Sequence, residues 1–279
     1  MATPQEDAKR MLPSVIDIAY EQYKRDLPRY RQTQDLMSKD VITTSPETSL
    51  EDAAKLMGEK HIGSLIVMKY RTPVGIVTER DLLSKVLMYG LLLRDEKVED
   101  VMSYPLAGVI PTTPLKEVAK TMTNKKGRLA VFDAGVLVGI ITASDLIKSL
   151  PDVPETEIKI DDFMTKKVIT ADKEESVINI AKIMGRERIG SVIITHQDKP
   201  LGIFTERDLL TDFLAKGKDL FIEVGPNCSQ PLAVVPSGIS VHRAAAIMAL
   251  KHIRRLPIVS DEKLIGIVTA RDLVEAYAK

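Results

Sequence analysis

Four stretches of this chain can be laid over one another: VGIVTERDLL (74–83), VGIITASDLI (138–147), LGIFTERDLL (201–210) and IGIVTARDLV (265–274). Each runs Gly, two apolar residues, Thr, two variable residues, Asp and an apolar residue, Leu in every copy. Successive threonines, Thr78, Thr142, Thr205 and Thr269, lie 64, 63 and 64 residues apart. Self-similarity at a fixed period means that one supersecondary unit has been used repeatedly, which rules out most single-domain folds for a chain of 279 residues. The first and third copies align without a gap at an offset of 127: DLMSKDVITT (35–44) mirrors DFMTKKVITA (162–171), and HIGSLIV (61–67) mirrors RIGSVII (188–194). The chain reads as two halves with two related units in each.

Every unit has the same plan. An extended stretch opens it, VIT at 41–43 and 168–170 and looser equivalents at 106–110 and 232–235. An amphipathic helix follows, with Leu50, Ala53, Ala54 and Met57 on one face, and Val177, Ile180, Ala181 and Met184 in the third copy. An apolar strand, a turn, a second strand ending in the motif and a closing helix complete it. The expected class is mixed α/β, four β-α-β-β-α repeats. At roughly 60 residues such a unit buries too little surface to stand comfortably alone, so pairing is expected. The boundaries read as an N-terminal extension at 1–33, repeats at 34–93, 97–150, 158–216 and 221–279, and a Pro-containing linker at 151–157. In the extension, Val15, Ile16, Ala19 and Tyr23 form an apolar stripe suited to packing on the repeats or on a second copy of the chain.

Composition narrows the function. Basic and acidic residues number 39 each, which removes the general electrostatic case for nucleic-acid binding. A lone cysteine, Cys228, excludes an internal disulfide and fits a reducing cytoplasm. No apolar run is long enough to cross a membrane. The four histidines, His61, His196, His242 and His252, form no metal-binding pair, so no metal is expected. No nucleophile elbow, catalytic triad or Walker loop is present, so an enzyme is the least supported class and no catalytic residue is assigned.

The motif has two chemical readings. Thr-x-x-Asp is a helix capping box, contributing about 0.5–2 kcal/mol per cap. A carboxylate one turn into a helix can also accept hydrogen bonds from both hydroxyls of a ribose, with the helix N-terminus and the Thr hydroxyl offered to phosphate. Asp81, Asp145, Asp208 and Asp272, with Thr78, Thr142, Thr205 and Thr269, are the candidates. Capping holds for every copy; it does not require that every pocket be filled.

Together the four motifs, the apolar strands such as RRLPIV before them and the opening DxM segments resemble CBS domains, the cystathionine-β-synthase repeat, over residues 34 to 279. The resemblance implies repeats paired into two Bateman modules with clefts for adenosine derivatives. Four repeats in one chain look like the γ subunit of AMP-activated protein kinase, which implies a flat disc. Such repeats also occur within inosine monophosphate dehydrogenase, whose catalytic barrel has no counterpart here. The resemblance further implies that a basic pair on the strand before the motif contacts phosphate. That position holds Arg254 and Arg255 in the fourth copy and Gly127-Arg128 in the second. The first and third copies depart from the pattern with Gly63-Ser64 and Gly190-Ser191 as pocket wall. Their basic residues are Arg80 and Arg207, for which a phosphate contact and an ion pair with Glu79 or Glu206 are equally open. Thr43 and Thr170 frame the pocket by the same analogy. The expected ligand is AMP, ADP or ATP, sensed on behalf of a protein partner by a monomer or homodimer. The alternatives are S-adenosylmethionine or methylthioadenosine, and a scaffold whose pockets are vestigial.

Overall fold

The computed structural model describes residues 13–25, 30–90, 92–124, 127–150, 157–261 and 263–279; most of the expected linker, 151–156, and residues 1–12 and 26–29 of the extension lie outside them. Helix α1 (Pro13–Arg25) precedes a short helix α2 (Thr33–Leu36). Repeat 1 then runs β1 (Thr43–Thr44), α3 (Leu50–Glu59), β2 (Ser64–Lys69), β3 (Thr72–Thr78) and α4 (Glu79–Lys85), with a 3₁₀ turn at Leu87–Tyr89. After α5 (Val98–Val101), repeat 2 comprises β4 (Gly108–Val109), α6 (Leu115–Asn124), β5 (Arg128–Asp133), β6 (Val136–Thr142) and α7 (Ala143–Leu146). Repeat 3 comprises β7 (Thr170–Asp172), α8 (Val177–Glu187), β8 (Ser191–His196), β9 (Lys199–Thr205) and α9 (Glu206–Asp208), which runs on as a π-type turn over Leu209–Leu214. Repeat 4 comprises β10 (Val235–Pro236), α10 (Val241–Leu250), β11 (Arg255–Ser260), β12 (Lys263–Thr269) and α11 (Ala270–Ala278).

Each repeat forms one three-stranded sheet in the order first-second-third, parallel between the first two strands and antiparallel between the last two. The middle strand is buried on both faces, hence its unbroken apolar run, Leu65-Ile66-Val67 in repeat 1. The hairpin between the last two strands turns through residues with positive φ, Tyr70 and Arg71 in repeat 1 and Gln197 and Asp198 in repeat 3, the twist that a two-residue hairpin needs. The first long helix starts on a serine cap, Ser49 accepting from the Asp52 N–H at 3.1 Å, and buries Leu50, Ala53, Ala54 and Met57. The equivalent methionines Met122, Met184 and Met248 are also buried.

The motif glycine serves a close approach. The DxM-type segment that opens one repeat lies across the last strand of another: Ser38 bridges Ile140, Ser103 bridges Ile76, Thr165 bridges Ile267 and Ser229 bridges Ile203. A Cβ on Gly139 would stand 2.7 Å from Met37 Sδ, and one on Gly266 would stand 2.4 Å from Met164 Sδ. Only glycine leaves room for that sulfur.

Two compact units emerge, and they do not follow the order along the chain. The first, over 41–106 and 169–232, holds repeats 1 and 3; the second, over 107–168 and 233–279 together with residues 13–25 and 30–40, holds repeats 2 and 4. In unit 1, α3 packs on the Leu209–Leu214 turn, and α4 with the Leu87–Tyr89 turn packs on α8. The approach is close at Gly58, where a Cβ would meet Ala215 Cβ at 2.4 Å, and at its equivalent Gly185, where one would meet Met88 Cβ at 3.0 Å. Leu93 and Leu214 join the two repeats' cores.

Unit 2 closes differently. Helix α6 packs on α11, but α7 stops after Leu146, and α1 covers α10 instead. Ile16 enters the core shared by Leu146, Leu150, Ala244 and Met248. Tyr20 is buried beside Arg243, which pairs with Asp17. The Tyr23 hydroxyl donates to the Lys148 carbonyl at 3.2 Å, and burial pushes its pKa up to about 12. The expected stripe is corrected at Val15, which is 49% exposed, whereas Ile16 is 1% exposed; the Ala19 side chain lies outside the described residues. The buried line runs through Ile16 and Tyr20, with Tyr23 half-buried beyond them, because α10 meets the helix about 100° round from Val15.

Candidate functional site

The four Thr-x-x-Asp motifs adopt one geometry. Thr is the N-cap with extended backbone, and the Asp carboxylate turns back to it. Asp81 Oδ2 accepts from the Thr78 N–H at 3.0 Å and from its hydroxyl at 2.7 Å. Asp145 does the same with Thr142 (3.0 and 2.8 Å), Asp208 with Thr205 (2.8 and 2.8 Å) and Asp272 with Thr269 (2.8 and 2.8 Å). One carboxylate oxygen is thus committed to the cap in every copy, and any ligand chemistry falls to Oδ1.

The copies differ at Oδ1. Lys85 Nζ stands 2.9 Å from Asp81 Oδ1, and Lys148 Nζ stands 3.1 Å from Asp145 Oδ1. These lysines, four and three residues beyond the Asp (Lys85 on α4, Lys148 in the turn after α7), were legible in the sequence as i, i+4 and i, i+3 pairs but carry no part of the motif. Asp272 forms no ion pair among the described residues. Burial raises its pKa, against the lowering effect of its hydrogen bonds from Thr269.

Strand pairing brings the remaining candidates to the same edge. Ser64 lies opposite Thr78, Arg128 opposite Thr142, Ser191 opposite Thr205 and Arg255 opposite Thr269. The residue just before each receives the N–H that follows the motif Thr: Glu79 donates to the Gly63 carbonyl, Ala143 to Gly127, Glu206 to Gly190 and Ala270 to Arg254, at 2.9–3.2 Å. Thr43 and Thr170 sit on the parallel neighbour strands, paired with Ile66 and Ile193, two residues along from Ser64 and Ser191. Each repeat therefore gathers its motif Thr and Asp with the pair before it.

Arg80 and Arg207 point elsewhere. Arg80 Nε reaches Glu206 Oε1 at 2.9 Å, and Arg207 Nε lies 3.9 Å from Glu79 Oε1. Of the two possibilities open from sequence, the structure presents the ion pair, and it runs between repeats rather than within one. The two glutamates are 5% and 8% exposed, and a buried carboxylate needs such a partner. The sequence reading passed over a third arginine of this kind, Arg271. The signal was present: the motif reads TERD, TASD, TERD, TARD, with arginine before the Asp three times. His242 is buried on α10, and no cluster of three His, Cys, Asp or Glu suited to a metal occurs among the described residues.

Comparison with known proteins matches the family described as CBS domain at residues 34–87, 98–152, 160–214 and 223–279. Protein MJ1404 of Methanocaldococcus jannaschii is 28% identical over 265 residues, covering 88% of this chain and 61% of that protein. Protein MJ1225 of the same organism is 30% identical over 195 residues, covering 64% of this chain and 69% of that protein. The chain thus spans about six-tenths of the first relative's length. The crystal structure of MJ1225 superposes with a TM-score of 0.75 at 21% identity, covering 88% of this chain and all of that one.

Proposed function

The chain belongs to the CBS domain family, and on that footing we propose that it is a regulatory protein that binds AMP, ADP or ATP and signals occupancy to a protein partner. Repeat 4 carries the reading. There the Asp272 carboxylate is buried enough to raise its pKa, its Oδ2 is held by Thr269, and no lysine occupies the other oxygen among the described residues. Arg255 sits opposite Thr269, and the carbonyl of Arg254 accepts from the Ala270 N–H, so both lie at the mouth of the same cap. A ribose diol on Asp272 Oδ1 with phosphates toward Arg254 and Arg255 uses both features. Arg128 gives repeat 2 a weaker version of the same site. MJ1225, put forward as an archaeal homologue of g-AMPK, has the same fold. Ligand shifts the protein toward whichever packing of its repeats holds it more tightly, by no more than the difference in affinity.

A second reading applies to unit 1. Its motif arginines are engaged with glutamates, and Gly63-Ser64 and Gly190-Ser191 offer no cation. A ligand without phosphates, such as S-adenosylmethionine or methylthioadenosine, fits repeats 1 and 3 better than ATP does.

Calorimetric titration of nucleotide-free protein with AMP, ADP, ATP and S-adenosylmethionine tests both. The expected result is nucleotide binding that Asp272→Asn and Arg254→Gln each weaken, with S-adenosylmethionine indifferent to Arg254→Gln. Absence of all binding by folded protein would leave the motifs as helix caps and the chain as a scaffold.

A further inference from the structure

Helix α1 has apolar residues on two sides. Ile16 and Tyr20, on the inner side, are buried in unit 2. On the outer side Val15, Ile18, Gln22 and Arg25 follow one another at i, i+3, i+7 and i+10, the spacing of a coiled-coil seam. All four are exposed, Ile18 by 67%, and so is Glu21 beside them. A groove of about 520 Å³ runs along Asp17, Ile18, Glu21, Gln22 and Arg25. One exposed isoleucine on a surface helix is ordinary; a seam that carries its own complementary charges is not.

Those charges are sorted along the helix. Asp17 and Glu21 come first, and Lys24 and Arg25 occupy the last turn. Asp17 is engaged with Arg243, and the Lys24 ammonium stands over the Tyr20 ring at 5.8 Å. Glu21 and Arg25 are therefore the opposite charges that the outer face presents. Two copies of such a helix laid parallel would set Glu21 against Glu21 and Arg25 against Arg25. Turned end for end about a two-fold axis at Gln22, they complement each other. At about 1.5 Å per residue, Arg25 then lies level with residue 19 of the other copy, between Ile18 and Glu21. Its aliphatic stem covers Ile18 and its guanidinium reaches the Glu21 carboxylate. Each contact is made twice, as an isologous interface requires, and the opposed macrodipoles favour the same orientation.

We propose that the outer face of α1 docks a second copy of this chain, in an antiparallel two-helix seam centred on Gln22. A helix of 13 residues is about 20 Å long, so the seam falls below the roughly 1,200 Å² at which standard stable interfaces begin. The dimer therefore forms and dissociates with protein concentration. It uses no residue of the Thr–Asp motifs and holds whether or not nucleotides bind.

Sedimentation velocity of the full chain, from about 1 to about 300 μM, should show a reversible shift from monomer to dimer. Ile18→Lys, Glu21→Arg and Arg25→Glu should each raise the dissociation constant at least tenfold. The double variant Glu21→Arg with Arg25→Glu should recover most of the loss, because it exchanges the signs and keeps them complementary. Melting temperatures should stay within a few degrees of the unaltered chain, since all three side chains are exposed. In a Cys228→Ser background, Gln22→Cys should form a disulfide-linked dimer under mild oxidation. Arg25→Cys should not, because the two copies of residue 25 then lie too far apart to be bridged. A chain that stays monomeric throughout, or a dimer that Ile18→Lys and Glu21→Arg both leave unchanged, overturns the docking face. Crosslinking of Arg25→Cys in place of Gln22→Cys overturns the antiparallel seam.

Discussion

Units 1 and 2 are assembled from the same repeat at the same offset, yet they settle two problems in different ways. Unit 1 covers α8 with its own repeat 1, whose closing helix continues into the Leu87–Tyr89 turn, and it neutralises its motif arginines with Glu79 and Glu206. Unit 2 has a closing helix in repeat 2 that ends at Leu146, borrows α1 as the cover for α10, and has alanines at both glutamate positions. Among the described residues, unit 1 is built from repeats 1 and 3 with the opening segments of repeats 2 and 4. The other takes α1, a segment outside the repeats, into its packing and has no glutamate beside its motif threonines. A duplicated scaffold can keep its fold while one copy gives up internal charge compensation, because the core positions and the polar rim are set by different residues.

The largest expected effect breaks the comparison at α1. Ile16→Ala removes a buried side chain from the unit 2 core and should cost about 2–4 kcal/mol, whereas Val15→Ala, one residue away and half-exposed, should stay within about 0.5 kcal/mol. Urea denaturation measures both, and equal costs would mean that α1 is an accessory rather than part of the core.

Next in size is the contrast between Asp272 and Asp81. Asp272→Asn should reduce nucleotide affinity by about tenfold or more, since a charge-assisted hydrogen bond is worth about 1.5–3 kcal/mol. Asp81→Asn should change it less, because Lys85 already holds the outer oxygen of Asp81 at 2.9 Å. Titration of the two variants side by side checks the order.

A smaller effect attaches to the crossed pairs. Arg80 is half-exposed, so solvent screens it, and a double-mutant cycle of Arg80→Ala and Glu206→Ala should give a coupling of about 1 kcal/mol that shrinks with added salt. The corresponding cycle in unit 2, Ser144→Ala with Ala270→Gly, should give none.

The smallest concerns pH, where the two units should move in opposite directions. Burial raises the pKa of Asp272 in the folded state, so the folded form binds its proton more tightly than the unfolded chain. Unliganded unit 2 therefore gains stability as pH falls through that folded value toward the unfolded one. Nucleotide affinity should fall over the same window, because the ribose needs the ionised carboxylate. In unit 1, hydrogen bonds from Asn179 and Ser176 lower the pKa of Glu175, a contribution present above its unfolded pKa and lost as pH falls through the folded one. Thermal melts of Asp272→Asn and Glu175→Gln across the acid range separate the two trends.

By itself the sequence determined the repeat, its strand and helix order, the core faces of the first helices and the Thr–Asp caps. All of these are local: they follow from periodicity and from a hydrogen bond spanning three residues. The CBS family was legible for the same reason, since four copies at constant spacing carry the motif. Only the tertiary structure decided which repeats share a core, because helix faces are alike in all four copies and nothing local distinguishes an odd partner from an even one. It also decided that Arg80 and Arg207 turn to glutamates 126 and 128 residues away, and that Ile16 rather than Val15 faces α10.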